Sequence, residues 1–159
     1  SSVKEVTLRE ELKTMNLYMS IENIRLSNEV NYVEKVESNV NIERIKVPPL
    51  ILQPFLENSI WHGLSSKKGK KEVLLSVSKI SDEFIQIDII DNGIGRDAAM
   101  EIRKNKSLNR KSIGIDLTKE RLRNFANEYA NNYSLIYTDI IDEKGNPKGT
   151  KVSLKIPIL

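Results

Sequence analysis

The chain has 159 residues, and 25 lysines and arginines against 22 aspartates and glutamates give it a net charge of +3. This length suits one domain with a core that needs no covalent cross-links, and a hydrophobic content of 39% argues against both a disordered chain and a membrane-spanning chain. Cysteine is absent and His62 is the only histidine, which excludes disulfides, zinc–thiolate sites, thiol nucleophiles and two-histidine metal sites.

A capping box begins the first predicted helix. Thr7 and Glu10 have the Thr-x-x-Glu spacing, and apolar residues follow at helical intervals. We predict a helix over about residues 7–27. Its apolar stripe is wide, which fits contact with the domain on one side and with a second helix on the other. A single amphipathic helix lying on its own domain explains the stripe equally well.

The remaining elements alternate between strand and helix patterns. The predicted strands are 31–37, 42–47, 72–80, 83–91, 133–141 and 150–156, and the predicted helices are 50–62, 97–103 and 114–130. Pro54 limits the regular part of the helix at 50–62 to residue 54 onward, or distorts it there. The polar stretch 104–112 is predicted to be a loop. The predicted fold class is α/β (α+β): a two-layer sandwich with a mixed, largely antiparallel sheet covered on one face by helices.

The clearest basic cluster, residues 67–71, lies at a predicted turn. Aromatic residues, which would stack on bases, are not interleaved with it. A solvated loop explains such a short charge run better than a nucleic-acid surface does. We therefore expect no nucleic-acid partner.

Glu57 and Asn58 stand on a helix whose other residues are mostly apolar. The Asn58 side-chain oxygen suits a hard cation such as Mg²⁺, which takes a few protein oxygens together with water and phosphate. A polar patch on the helix surface is the alternative. His62 follows Asn58 by four residues and shares its helix face. It has two possible roles: donating to a phosphate, or capping the helix end beside Gly63.

Asp91, Gly93 and Gly95 end an apolar strand. Both glycines permit left-handed backbone angles and the close approach of a flat ligand. A carboxylate at the bottom of an apolar pocket suits the exocyclic amino group of adenine. A tight turn accounts for an Asp-Asn-Gly sequence equally well.

Residues 112–115, with Gly114, join the polar loop to the last predicted helix. The free N–H groups and the dipole at a helix start favour phosphate, although an ordinary junction between loop and helix has the same pattern. Basic residues precede this junction and would be able to fold over a triphosphate: Lys104, Lys106, Arg110 and Lys111.

The order and spacing of these motifs resemble the GHKL ATPase superfamily of gyrase, Hsp90, histidine kinases and MutL, whose ATP-binding fold is of the Bergerat type. Residues 48–63 resemble the N box of the LytS-like branch of bacterial sensor histidine kinases. Residues 91–95 match its G1 box, and residues 112–122 are similar to its G2 box. Residues 149–157 resemble its last strand, and residues 8–25 resemble its pre-catalytic helix.

For the base and the metal, this resemblance implies specific roles. Asn58 would be the Mg²⁺ ligand, and Asp91 would contact adenine. Gly93 and Gly95 would shape the base pocket, and His62 would lie close to the phosphates.

For the lid, the resemblance implies that Gly114 is the hinge and that Lys111 and Thr150 bind the nucleotide. The chain departs from the G2 pattern at two positions. Ser112 stands where the family usually has a leading glycine, and Leu117 stands where it has an asparagine. These departures bear on lid geometry and on nucleotide affinity.

The catalytic role of Glu57 stays open at this point. Superfamily members that hydrolyse ATP place a general-base glutamate one turn before the asparagine, and this chain has Pro54 there. A kinase that phosphorylates histidine needs less of a water-activating base, because phosphoryl transfer depends mainly on positioning and charge stabilisation.

The function that the resemblance implies is the ATP-binding catalytic domain (residues 31–159) of a two-component sensor histidine kinase. Residues 1–30 would be the pre-catalytic helix that ends the helical dimerisation region. The acceptor histidine would lie outside this chain, since no Pro-His-Phe-type motif is present. The implied ligands are ATP and Mg²⁺, and the implied partners are the acceptor-histidine region of the same protein, a response regulator and a second copy in a homodimer.

The implied location is the cytoplasmic domain of a membrane-anchored bacterial sensor. Two alternatives remain: a degenerate, non-catalytic nucleotide-binding or interaction module, and another GHKL-type serine kinase or ATPase.

Overall fold

Seven strands and four α-helices alternate along the part of the chain that the computed structural model describes, residues 4–105 and 113–158. In chain order they are β1 (Val6–Thr7), α1 (Leu8–Arg25), β2 (Val30–Val36), β3 (Lys46–Val47), α2 (Gln53–Asn58), a π-helical turn (Ser59–Leu64), β4 (Lys71–Lys79), β5 (Phe84–Asp91), α3 (Arg96–Asn105), α4 (Ile113–Glu128), β6 (Ser134–Ile141) and β7 (Pro147–Pro157).

Five of the strands form one sheet in the order β2-β4-β5-β7-β6. β2 pairs with β4 in parallel, and the other neighbours are antiparallel. Side chains alternate along β4 and β5, so that Val73, Leu75, Ile85 and Ile87 are buried on one face. The predicted fold class, a mixed and largely antiparallel sheet with helices on one face, is confirmed.

α1 packs into the same core as the sheet. Leu8, Leu12, Met15 and Met19 are buried in one cluster with the apolar residues of α2 and β4. The capping box is formed as predicted, because Thr7 Oγ1 accepts the Glu10 N–H at 3.1 Å and Glu10 Oε1 accepts the Thr7 N–H at 3.1 Å. One hydrophobic core thus extends across the boundary predicted after residue 30.

The strand predicted over 42–47 is wrong except at Lys46 and Val47, which pair with β1. The segment before them turns instead, with the Glu43 N–H bonded to the Asn41 side chain at 3.2 Å. Its carbonyls have another use: the Ile42 and Ile45 carbonyls accept the N–H groups of Arg9 and Leu8 at 2.9 and 2.8 Å. They thereby satisfy free donors at the start of α1.

The helix predicted over 50–62 begins later and changes form before it ends. α2 begins at Gln53, which puts Pro54 in the first turn, where a missing N–H has no partner to lose. The prediction that Pro54 restricts the regular helix is confirmed. From Ser59 the chain widens into the π-helical turn, which contains His62 and Gly63.

The polar loop predicted over 104–112 lies mostly outside the described residues, because α3 extends to Asn105 and α4 begins at Ile113. β7 begins at Pro147, three residues earlier than predicted. Within the described ranges, the structure contains no helix whose length and apolar content would let it cross a lipid bilayer.

Candidate nucleotide-binding site

A cavity of about 300 Å³ opens where α2, the π-helical turn, α3, α4 and the ends of β5 and β7 meet. Five residues singled out from the sequence lie on its wall: Asn58, His62, Asp91, Gly95 and Thr150. The motifs that carry them are as far apart in the chain as residues 48–63 and 149–157, and the sheet order brings β5 and β7 side by side. The cavity is thus assembled from parts that the sequence predicted separately.

Asp91 ends β5, and only 5% of it is exposed. Its Oδ1 accepts the Gly93 N–H at 2.9 Å. Burial raises the pKa of the Asp91 carboxyl, and hydrogen bonds from the Gly93 backbone, the Ser59 hydroxyl and the Thr150 backbone partly offset that rise. A buried carboxylate with a raised pKa on a cavity wall is typical of a functional site. The Ser59 hydroxyl was not predicted as a site group, although Ser59 directly follows the predicted residues Glu57 and Asn58.

Positions 93 and 95 both require a glycine, but for different structural reasons. Gly95 has φ +89°, the left-handed conformation that the motif predicted, and it lines the cavity. Gly93 lies outside the left-handed region. A Cβ on Gly93 would lie 2.4 Å from the Gly63 carbonyl oxygen, and the neighbouring Ile94 N–H donates to that oxygen at 2.9 Å. Gly93 therefore shapes the site by letting the loop pack on the π-helical turn.

Asn58 and His62 line the cavity, whereas Glu57 does not. Glu57 is exposed and accepts a hydrogen bond from the Gln53 side chain at 3.2 Å. Burial, and then the charge of Glu57, raise the pKa of Tyr18 on α1. The structure does not bring Glu57 to the cavity.

The donors around Asn58 fit a magnesium ion that arrives with phosphate. Among the described residues there is no cluster of three or more acidic or histidine side chains that would hold a metal by itself. Magnesium is commonly bound by one or two protein oxygens, with water and substrate phosphates completing its shell. The Asn58 amide on the cavity wall suits that arrangement.

Arg96 and Tyr137 form a part of the wall that the sequence did not predict. Arg96 makes a two-pronged ion pair with Asp139, Nε to Oδ1 at 2.8 Å and Nη2 to Oδ2 at 2.9 Å. The guanidinium carbon also lies 5.3 Å from the centre of the Tyr137 ring. Only the position of Arg96, directly after Gly95, was a signal in the sequence.

α4 contributes Lys119 to the cavity, a further residue that the sequence did not single out. Gly114 lies near the start of α4 but off the wall, where an added Cβ would be 3.6 Å from Pro54 Cβ. Leu117 is 56% exposed and does not line the cavity. Lys111 lies outside the described residues, as do Lys106, Arg110 and Ser112.

Curated relatives of the chain include bacterial sensor proteins, and no protein-family model matches it. The protein YwpD of Bacillus subtilis is 31% identical over 119 residues, which are 75% of this chain and 42% of YwpD. The sensor protein LytS of Enterococcus faecalis is 29% identical over 154 residues, which are 96% of this chain and 25% of LytS. The chain thus spans less than half of the length of either relative.

Solved histidine kinase structures share the fold. The catalytic domain of histidine kinase ThkA matches with a TM-score of 0.63 at 9% identity, over 99% of this chain and 98% of that one. Histidine kinase ThkA in complex with the response regulator protein TrrA matches with a TM-score of 0.61 at 9% identity, over 98% of this chain and 42% of that one. The sequence similarity to LytS over nearly the whole chain, together with the fold shared with histidine kinase catalytic domains, supports a LytS-like histidine kinase ATPase domain.

Proposed function

We propose that this chain binds ATP with Mg²⁺ in the cavity, and that the whole protein transfers the γ-phosphoryl group of ATP to a histidine outside the chain. The observation that carries the proposal is the buried Asp91 carboxylate on a cavity wall that also contains Asn58 and His62. An ionised carboxylate is a strong hydrogen-bond acceptor. It suits the amino group of adenine and disfavours guanine, which has a carbonyl oxygen at that position.

In this proposal Asp91 selects the base, and its bonds from Ser59 and Gly93 hold the carboxyl group in one orientation. Gly95 and Thr150 line the base side of the cavity. The Arg96 guanidinium, fixed by Asp139 and by the Tyr137 ring, would close the cavity beside α3.

The phosphate side is assigned to Asn58, His62, Lys119, Lys111 and Gly114. Asn58 offers its side-chain oxygen to Mg²⁺, while His62 and Lys119 line the same cavity and would donate to phosphate oxygens. Mg²⁺, when bound, neutralises phosphate charge. Lys111 and the Gly114 hinge follow from the resemblance to the G2 box.

The remaining chemistry is positioning. Because the acceptor is a histidine and not water, the chain needs no general base one turn before Asn58, and Pro54 occupies that position. The exposed Glu57, which accepts a hydrogen bond from the Gln53 side chain, takes no part in the transfer as proposed here.

The whole protein, on this proposal, is a homodimeric, membrane-anchored sensor whose cytoplasmic part includes this chain. Residues 1–30 would continue the dimerisation region, and residues 31–159 would form the ATP-binding unit. The acceptor histidine and a response-regulator aspartate would receive the phosphoryl group in turn. The length of LytS beyond the matched region supports the presence of such further parts.

The decisive experiment supplies γ-labelled ATP, Mg²⁺ and a separately made fragment that carries the acceptor histidine. We expect label on that fragment, lost in acid and stable in base, as phosphohistidine requires. Acid-stable label on serine would identify a GHKL-type serine kinase instead, and release of free phosphate without labelled protein would identify an ATPase.

A non-catalytic nucleotide-binding module is a second candidate, favoured by one observation. Leu117, where the family has an asparagine, is exposed and off the cavity wall. This candidate expects ATP binding that is weak and indifferent to Mg²⁺. Titration calorimetry with ATP, with and without Mg²⁺, distinguishes it from the kinase.

A further inference from the structure

Glu11 on α1 is a buried carboxylate that the proposed function does not use. Only 2% of the residue is exposed. Its Oε1 accepts the Leu50 N–H at 2.8 Å, and its Oε2 accepts the Leu52 N–H at 3.2 Å. The backbone of Ile51, between them, is a third hydrogen-bond partner. One side chain of α1 thus holds successive peptide groups of the segment 49–52, which we call the connector.

A second charged side chain holds the connector from the opposite element. Arg121 of α4 donates from Nη2 to the Pro49 carbonyl oxygen, and its charge also acts on Glu11. Between these contacts Leu50 has φ +59°, a left-handed conformation that costs an ordinary L-residue free energy. The conformation of the connector is therefore imposed by Glu11 and Arg121 rather than by its own preference.

The connector leads directly into α2. Gln53 begins this helix and Asn58 ends it, so the Mg²⁺ ligand of the proposed function lies within two helical turns of Leu52. Phe55 and Leu56 are buried in the core, and the N–H groups of both donate to the Leu52 carbonyl oxygen at 3.1 Å, which links the short helix to the connector. A displacement of residues 50–52 would consequently be transmitted to Asn58.

We propose that Glu11 is a positioning residue for the nucleotide site: it ties the pre-catalytic helix to the connector and so sets the position of Asn58. The inference rests on the proposed function. Anchoring of α1 alone does not require this carboxylate, because Leu8, Leu12 and Met15 already fix the helix in the core. Burying a carboxylate is costly, and burial raises the pKa of Glu11 against the effect of its hydrogen bonds.

The test compares Glu11→Ala and Glu11→Gln with Arg9→Ala. Arg9 is on the same helix, and its ion pair with Glu43, 2.7 Å from Nη1 to Oε1, ties α1 to a different segment. Calorimetric titration with ATP is done with Mg²⁺ and with EDTA, well below the unfolding temperature. For Glu11→Ala we expect affinity about tenfold lower or more in Mg²⁺ and unchanged affinity in EDTA, as for loss of groups that orient a metal ligand.

Glu11→Gln should lie between wild type and Glu11→Ala, because it keeps one accepting oxygen, and Arg9→Ala should bind as wild type does. If Glu11→Ala does not fold, Glu11→Gln decides by the same criterion. Equal losses with Mg²⁺ and EDTA would show a general structural role and overturn the inference, as would wild-type affinity in both Glu11 variants.

Arg121→Met, on the other side of the connector, provides an independent check and should show the same Mg²⁺-specific loss. Its normal binding would contradict the two-sided support of the connector. A wild-type chain that binds no ATP overturns the proposed function, and the inference with it. If the wild type binds Mg·ATP and both Glu11 variants bind it with the same affinity, only the inference about Glu11 is overturned.

Discussion

The Asp91 carboxyl group is enclosed by the loop it begins and by the strand it pairs with. The Gly93 N–H and the Thr150 backbone both bond to it, and a Cβ on Gly63 would lie 3.0 Å from its Oδ1. The protein therefore supplies hydrogen-bond partners to the carboxyl group on the sides that do not face the cavity. An unmatched ligand group is therefore rejected here more readily than in an open, solvated site.

Asp91→Asn is expected to lower the affinity for Mg·ATP by about 100-fold or more, because the amide presents a donor where adenine also has one. Titration calorimetry measures the change, and circular dichroism checks that the fold is retained. Asp88→Asn is the matched control, since Asp88 lies on the same strand but on the opposite face. Unchanged affinity of Asp91→Asn would refute the adenine contact.

The same substitution has an effect on stability that depends on pH. Burial raises the pKa of Asp91 above that of an aspartate in the unfolded chain, so the folded state holds the proton more tightly. The stability of the wild type therefore falls as the pH rises through the interval between the two values. The unfolding temperature of Asp91→Asn, relative to wild type, should be higher at about pH 7 than at about pH 4. A difference that does not change with pH contradicts the raised pKa.

The residues on the cavity wall differ in whether a local sequence motif predicted them. Asn58, Asp91 and Gly95 belong to short motifs, in which local spacing carries the information. Arg96 and Tyr137 meet only because β6 pairs with β7 and β7 pairs with β5. The order of strands in a sheet cannot be deduced from the local periodicity of the sequence. The contact between Arg96 and Tyr137, made by tertiary pairing, is thus one part of the site that the sequence alone did not predict.

At the scale of elements, the π-helical turn and the loop after β5 act as one unit joined through Gly63 and Gly93. Gly93→Ala should destabilise the fold by about 3 kcal/mol, since the added Cβ meets backbone that cannot rotate away. Gly114→Ala is the comparison: its Cβ would be at 3.6 Å from Pro54, an ordinary contact, and it would remove a glycine from α4.

For Gly114→Ala we expect a change between zero and about 1 kcal/mol of added stability. Urea unfolding at equilibrium measures both variants. Similar stabilities for the two would contradict the close packing of Gly93 on Gly63.

Local patterns predicted best those elements in which the buried residues recur with the same period as the apolar residues of the sequence, such as α1, β4 and β5. Residues 42–47 show why the others could not be predicted. Their β-branched side chains favour a strand, but Ile42 and Ile45 give their carbonyls to the start of α1 instead of to a neighbouring strand. The free N–H groups at the start of α1, which is distant in the chain, need hydrogen-bond acceptors. This requirement outweighed the local preference of residues 42–47 for a strand.

At the scale of the whole molecule, α1 is a structural part of the domain. Its residues Leu8, Leu12, Met15 and Met19 are buried in the common core. Burial of one such side chain stabilises by about 1.5–3 kcal/mol, and the four together approach the total stability of about 5–15 kcal/mol that is usual for a domain.

A chain that starts at residue 31 is therefore expected not to fold. Thermal unfolding followed by circular dichroism should show no cooperative transition, whereas the chain of residues 1–159 should show one. A cooperative transition in the shorter chain would establish residues 31–159 as an independent unit.

β7 is the last of the seven strands in the described residues, yet it lies between β5 and β6 in the sheet and brings Thr150 and Val152 to the cavity. β2, β4 and β5 can pair before β7 joins the sheet, but one wall of the cavity is missing until β7 has paired. Pairing between strands so distant in sequence is slow to form. Occupancy by ATP would consequently report that folding is complete, and each bound nucleotide would draw partly assembled chains toward the finished sheet by mass action.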